Sequence, residues 1–226
     1  MYVFLSYPLD PKDLCWPGEP VLKVRKCTEI NGTDVKFETC ESVVPDHFGT
    51  HFDAPRHVNV NGPRIAELPP EYFVHQKVLL LDIPKEAREC VMDTDLKPYE
   101  DQIAQCTLLL IRTGFGKKKF AEPLLYQNEG PCLHPLCSEY LVKTFPELRT
   151  VGLDFLSVGS PCNDLSADAH QMLLGCFTEH YVTAIEDMDL EAAGSRKIEE
   201  VTVAPLRIVG ADSGQVCVIA RMEDQE

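Results

Sequence analysis

"HFGTHFDAPRH", residues 47–57, sets three histidines and an aspartate in a run that also holds a glycine and a proline. His47, His51, Asp53 and His57 all occupy odd positions. In an extended chain their side chains turn to one face, because side-chain direction alternates with period two. A helix cannot do this: Pro55 breaks it, and about 100° per residue carries Asp53 and His57 away from His47 and His51. A straight strand still separates His47 from His51 by about 13 Å at roughly 3.3 Å per residue, too far for both to reach one ion at about 2 Å. The stretch must therefore curve. Gly49 permits the bend, and Pro55 stiffens the exit toward His57.

Imidazoles and a carboxylate together suit zinc, and also manganese or iron. A polar surface loop would explain one histidine; three histidines and an aspartate of one parity, with a bend residue between them, favour a metal site. A closed structural zinc site more often recruits thiolates, and no cysteine lies between Cys40 and Cys90. That points to a catalytic ion.

The rest of the chain sets the frame. A length of 226 residues suffices for one core, so residues 1–226 are expected to form a single domain. With 21 Lys+Arg against 36 Asp+Glu the formal charge is −15, which repels phosphate backbones and anionic lipid, so neither nucleic acid nor membrane is an expected partner. The opening "MYVFLSYPLDPKDL" has no basic segment followed by an apolar one, and no apolar run reaches about 18 residues, so a cytoplasmic protein is expected. Ten cysteines occur without a C-x-x-C pair; they read as reduced, several as small buried hydrophobes.

Candidate strands are "VKFET" (35–39), "KVLLLDI" (77–83), "TLLLIRTG" (107–114), "TVGLDFLSV" (150–158), "YVTAIEDM" (181–188), "VTVAPLRIV" (201–209) and "VCVIARM" (216–222). Several are nearly continuous apolar runs, the mark of strands buried on both faces. Between them "HPLCSEYLVKTF" (134–145) has helical spacing, and "SADAHQMLLGCF" (166–177) opens with a serine suited to N-capping. Alternating strands and helices with β-rich ends predict an α/β domain. "WPGEP" (16–20) and "LPPEY" (68–72) mark loops, and the tail "EDQE" reads as disordered. "GFGKKKF" (114–120) lacks the phosphate-loop spacing, so its lysines read as a solvated turn. His75 and His134 show no partner pattern. Trp16 suits either a pocket wall for an aryl ring or plain packing, and Asp154, charged within an apolar strand, must meet interior donors or face a pocket.

These residues carry a resemblance. "HFGTHFDAPRH" resembles the H-x-G-T-H-x-D-x-P-x-H signature of the cyclase family of metal-dependent hydrolases, which includes kynurenine formamidases and isatin hydrolases. "FLSYPLDPKDLCWPGEP" is similar to that family's opening segment, "TLLLIRTGF" and "LRTVGLDFLSVGSP" to two of its strands, "AHQMLLG" to a helix, and "AIEDMDL" to a later strand. The resemblance implies a β-rich, barrel-like α/β core with surrounding helices. It implies that His47, His51 and Asp53 bind one ion, that Asp53 bridges to a second held by His170 and Glu186, and that His57 stays free as acid/base. The implied ion is zinc, with manganese as the alternative, in one or two copies. Also implied are a small-molecule substrate and a homodimer or higher homo-oligomer. Glu186 interrupts an apolar strand, where an unpaired carboxylate is costly and a cation would relieve it. Fifteen residues separate His170 from Glu186, a longer segment than the formamidases suggest, and His180 within it is the alternative ligand to His170. The expected activity is amide hydrolysis, arylformamidase action on N-formylkynurenine first. Lactam hydrolysis, a cyclase or dehydratase reaction, and a non-catalytic metal domain are the alternatives.

Overall fold

Alternation along one strand decides the layering. In Leu108–Arg112, Leu108 and Leu110 join one apolar core while Leu109 and Ile111 join another, as period two requires. The first core fills the inside of a curved sheet with Phe52, Ile185, Val201 and Val218; the second lies between the sheet and helices, with Leu141, Val151 and Leu173.

The computed structural model describes residues 1–223, and the tail expected to be disordered lies, beyond Glu223, outside the described residues. Among the described residues nine strands form the main sheet. Val78–Asp82, Leu108–Arg112, Thr150–Leu153 and Thr183–Glu186 run parallel and in register. The sheet continues antiparallel through His51–Asp53, Ser213–Met222, Ile198–Pro205 and Val74–His75, and Tyr2–Phe4 pairs with Ser213–Met222. Ile198–Pro205, next to the edge strand Val74–His75, also packs near Val78–Asp82 at the other edge, so the sheet curls into a nearly closed, barrel-like core. The helices Pro135–Thr144 and Ser166–Leu173 pack on each other outside it. No helix among the described residues is long and apolar enough to cross a membrane.

Several local expectations change. Residues 35–38 are not a strand: the hairpin pairs Lys23–Thr28 with Thr39–Val43, and Asn31 Oδ1 holds the turn by accepting from the amides of Thr33, Asp34 and Val35. Phe37 is left exposed there. The strand predicted over 150–158 stops at Leu153, because Asp154 turns inward to accept from Thr113 N, Thr113 Oγ1 and Gly114 N. The strand predicted over 201–209 covers Ile198–Pro205, and the last strand starts at Ser213. Ser166 is the first helical residue rather than the cap, and Leu165 before it offers no side-chain cap. The helix ends at Leu173, ahead of Gly175 with φ 78°. His134, in contrast, does cap a helix, its Nδ1 accepting from Leu136 N at 3.2 Å. Lys119 is buried, so "GFGKKKF" is a solvated turn only at its other lysines. All ten cysteines are free thiols.

Candidate metal centre

The signature is a turn, a short strand and a turn. Gly49, φ 66°, supplies the bend between His47 and His51, a backbone conformation that a side chain with Cβ resists. A Cβ there would also meet the Leu9 side chain. His51–Asp53 then forms a buried strand in the middle of the sheet, so that period two sends His51 and Asp53 to one face and Phe52 into the opposite core. A 3-10 turn, Pro55–His57, swings His57 back toward them. On the neighbouring strand Glu186 lies in register with His51, and His170 approaches from the helix Ser166–Leu173.

The structure thus brings His47, His51, Asp53, His170 and Glu186 together, with His57 beside them. His47 Nδ1 stands 3.1 Å from Asp53 Oδ1, and His51 Nε2 stands 3.5 Å from it. His51 Nε2 is 3.2 Å from Glu186 Oε2, and His170 Nε2 is 3.4 Å from Glu186 Oε1 and 3.9 Å from Asp53 Oδ2. The two Asp53 oxygens therefore face two different sets of partners. His180 is not in this group; its Nε2 contacts the Phe145 carbonyl oxygen at 3.2 Å.

Tautomers follow from the hydrogen bonds. His51 Nδ1 lies 2.8 Å from the Gly49 carbonyl and His170 Nδ1 lies 2.7 Å from that of Ser166. A carbonyl only accepts, so each Nδ1 carries the hydrogen and each Nε2 points at the carboxylates. A ring nitrogen fixed by an outer acceptor while the other faces a cation site is the usual arrangement of a metal-binding histidine. Ser157 Oγ and Val158 N donate to Glu186 Oε1 at 3.0 and 2.6 Å.

Whether an ion fits is answered by what the cluster leaves unsatisfied. Asp53 is fully buried, yet neither of its oxygens has a hydrogen-bond partner, and neither has His51 Nε2. The short distances within the cluster are proximities of charge without the alignment of a hydrogen bond. A buried carboxylate with both oxygens unbonded is costly, and a divalent cation among these donors would remove that cost. Among the described residues three groups of three, His47 with His51 and Asp53, Asp53 with His57 and His170, and His47 with His57 and Asp212, each offer ligand atoms within 4.8 Å of one another. The donors fit a divalent metal; nitrogen and oxygen donors alone do not separate zinc from manganese.

The protein's own charges say the same. Burial works against charge on His47, but Asp53 and Asp212 outweigh it and push the imidazole pKa up to about 11. Burial likewise opposes charge on His51 and His170, and Asp53 and Glu186 raise both. Burial favours the neutral form of Asp53, yet the surrounding imidazoles hold its pKa well below the usual carboxylate range. The carboxylates thus retain protons on the histidines, protons that a bound cation would replace.

One participant gave no sign in the sequence. Asp212 sits in the loop before the last strand, and its Oδ2 accepts from His57 Nδ1 at 2.9 Å and His47 Nε2 at 3.2 Å. Bonds to both histidines depress its pKa. With Nδ1 committed to Asp212, His57 presents Nε2 as its free nitrogen. A cavity of about 230 Å³ opens over the cluster, lined also by Trp16, Leu156 and Ser157. That volume is below the range for drug-sized ligands and suits a small molecule. Trp16 and Leu156 belong to one apolar cluster with Phe115 and Tyr126, so one wall is apolar and the other polar.

Residues 3–160 match the model of the family described as "Putative cyclase". An uncharacterized protein of Haemophilus influenzae is 42% identical over 130 residues, 58% of this chain and 91% of that protein. A kynurenine formamidase of Geobacillus thermodenitrificans is 27% identical over 218 residues, 95% of this chain and 94% of that enzyme. Among solved structures, isatin hydrolase A from Labrenzia aggregata bound to benzyl benzoate superposes with a TM-score of 0.82 at 20% identity, covering 100% of this chain and 94% of that one.

Proposed function

The chain belongs to the cyclase family, and from that premise we propose that it is a metal-dependent hydrolase of an amide bond on an aryl-linked nitrogen, with N-formylkynurenine as the first substrate to test. Asp53 carries this reading: a buried carboxylate with two unbonded oxygens facing histidines on both sides, under a cavity that reaches His57. Full-length similarity to kynurenine formamidases supports a formamide. Structural similarity to isatin hydrolases supports the fold and keeps a lactam as the second reading.

His47, His51 and Asp53 would hold one divalent ion, zinc or manganese, and His170 and Glu186 with the far oxygen of Asp53 would hold a second. When bound, such an ion supplies Lewis acidity and brings the pKa of water toward about 7. The remaining work falls to the chain. His57 takes a proton at Nε2 as water adds to the acyl carbon, and returns it to the departing nitrogen as the carbon–nitrogen bond breaks. An imidazole can serve in both transfers, as base and then as acid. Asp212 holds the ring in the orientation that leaves Nε2 free, and Trp16 and Leu156 offer an apolar wall to an aryl group. A cytoplasmic location and a homodimeric or larger assembly belong to the same proposal.

The test is a separation of roles. His51→Ala and Asp53→Ala are expected to lose both bound metal and turnover, whereas His57→Ala keeps the metal and loses turnover by roughly 10²-fold or more, read by elemental analysis beside a hydrolysis assay. An emptied site in His57→Ala would make His57 a ligand and the assigned roles wrong.

A further inference from the structure

Immediately after Glu186 the chain takes a left-handed turn at Asp187, φ 55°; among the described residues only Arg88 shares this with it outside the glycines. Such a conformation is disfavoured for a residue with a Cβ and persists where its surroundings over-determine it. Asp187 is tied at four atoms. Its Oδ2 takes an ion pair from Lys119 Nζ at 2.6 Å and its Oδ1 accepts from Tyr126 OH at 2.6 Å. Its amide donates to the Phe155 carbonyl at 3.0 Å, and its own carbonyl accepts from Thr50 Oγ1 at 2.6 Å.

The pair is enclosed, with the Lys119 and Asp187 side chains 4% and 2% exposed. Lys117 and Lys118, its neighbours, pair with Glu191 and Glu122 at the surface; Lys119 alone turns inward, 5.0 and 5.5 Å from the ring centres of Tyr7 and Tyr126. Burying an ion pair seldom stabilises a fold more than apolar side chains of the same size would, so stability does not account for it. What it touches does. Thr50 precedes His51, Phe155 lies two residues before the Ser157 that donates to Glu186, and Glu186 is Asp187's own neighbour.

We propose that Lys119 and Tyr126, acting through Asp187, are positioning residues that hold Glu186 and His51 where both can take up a divalent ion. The inference rests on the metal reading above. The helical turns Phe115–Lys117 and Lys118–Ala121 and the helix Pro123–Glu129 thereby become part of the metal centre although they supply no ligand.

The test is zinc affinity, measured against a chromophoric chelator on the full chain, beside the melting temperature of the metal-free protein. The double variant Lys119→Met, Asp187→Asn removes both charges together, and asparagine tolerates the left-handed turn and still accepts from Tyr126. At least tenfold weaker zinc binding is expected. A folded double variant with unchanged affinity would overturn the inference, whatever its melting temperature, because a merely structural pair moves only the latter. If the double variant does not fold, Tyr126→Phe decides: at least threefold weaker binding supports the inference and unchanged binding overturns it. No uptake of either zinc or manganese by the unaltered protein would sink the metal reading and this inference with it, whereas equal uptake by protein and variants would sink this inference alone.

Discussion

At the scale of single residues the site is a problem of uncompensated charge. Asp53 and Glu186 lie within a few ångströms of each other's histidines in a place from which water is nearly excluded, and the proton and the metal ion are competing answers. Asp212, half-buried, extends the network toward the surface, where one oxygen serves both His47 and His57. Asp212→Asn is expected to lower kcat by about 10²-fold at zinc concentrations that restore full occupancy, with KM little changed, because it frees the ring that must present Nε2. Loss of metal binding is the smaller effect, about tenfold, the low end for outer partners of a ligand. Steady-state kinetics beside elemental analysis separate the two. An unchanged kcat at full occupancy would reduce Asp212 to a partner of His47 and His57 with no part in turnover. Asp212 was not legible in the sequence: "GADSG" reads as turn residues, and nothing local says that a residue so distant in sequence returns to His47.

At the scale of elements, the parity of the signature was legible, and the structure shows why. His51 and Asp53 share a face because they lie two apart on a central strand, while His47 and His57 come back to that face through turns at Gly49 and Pro55. The apolar runs at 78–82, 108–112, 150–153 and 183–186 were legible as buried strands for the same reason, since parallel strands covered on both sides need no alternation. The hairpin Lys23–Thr28 with Thr39–Val43 was misplaced because its strands are exposed throughout, so burial left no pattern to read. Lys119 was misread because a lysine's partner across the fold leaves no trace beside it. One buried residue on the strand Val74–His75 gives an element-level prediction. His75 donates from Nε2 to the Tyr72 carbonyl at 3.1 Å, and Nδ1 lies 3.1 Å from Thr107 Oγ1; burial lowers its pKa to about 4. The folded protein therefore holds this imidazole neutral while the unfolded chain protonates it near pH 6.5. Above that pH the group has no effect; as pH falls from 6.5 toward 4 the unfolded state binds the extra proton and stability drops, by roughly 3 kcal/mol in total. Urea denaturation of the metal-free protein across that window should show the loss, and His75→Gln should reduce it. An identical pH slope in the variant would remove His75 as its source.

At the scale of the whole molecule, the negative charge of 15 lies on a surface that repels polyanions, while the cavity draws its chemistry from a few enclosed groups; net charge therefore says little about what enters. The assembly proposed with the function predicts a sedimentation coefficient of a dimer or larger species at micromolar concentration, and a monomer there would withdraw that part. The proposed amide hydrolysis needs a metal ion held by the histidine and carboxylate cluster. The most direct measurement is hydrolysis of N-formylkynurenine by the purified protein, followed by absorbance before chelation, after chelation, and with zinc or manganese restored. Turnover is expected to disappear with the metal and to return with one of the two ions. Turnover that survives complete removal of metal would contradict this.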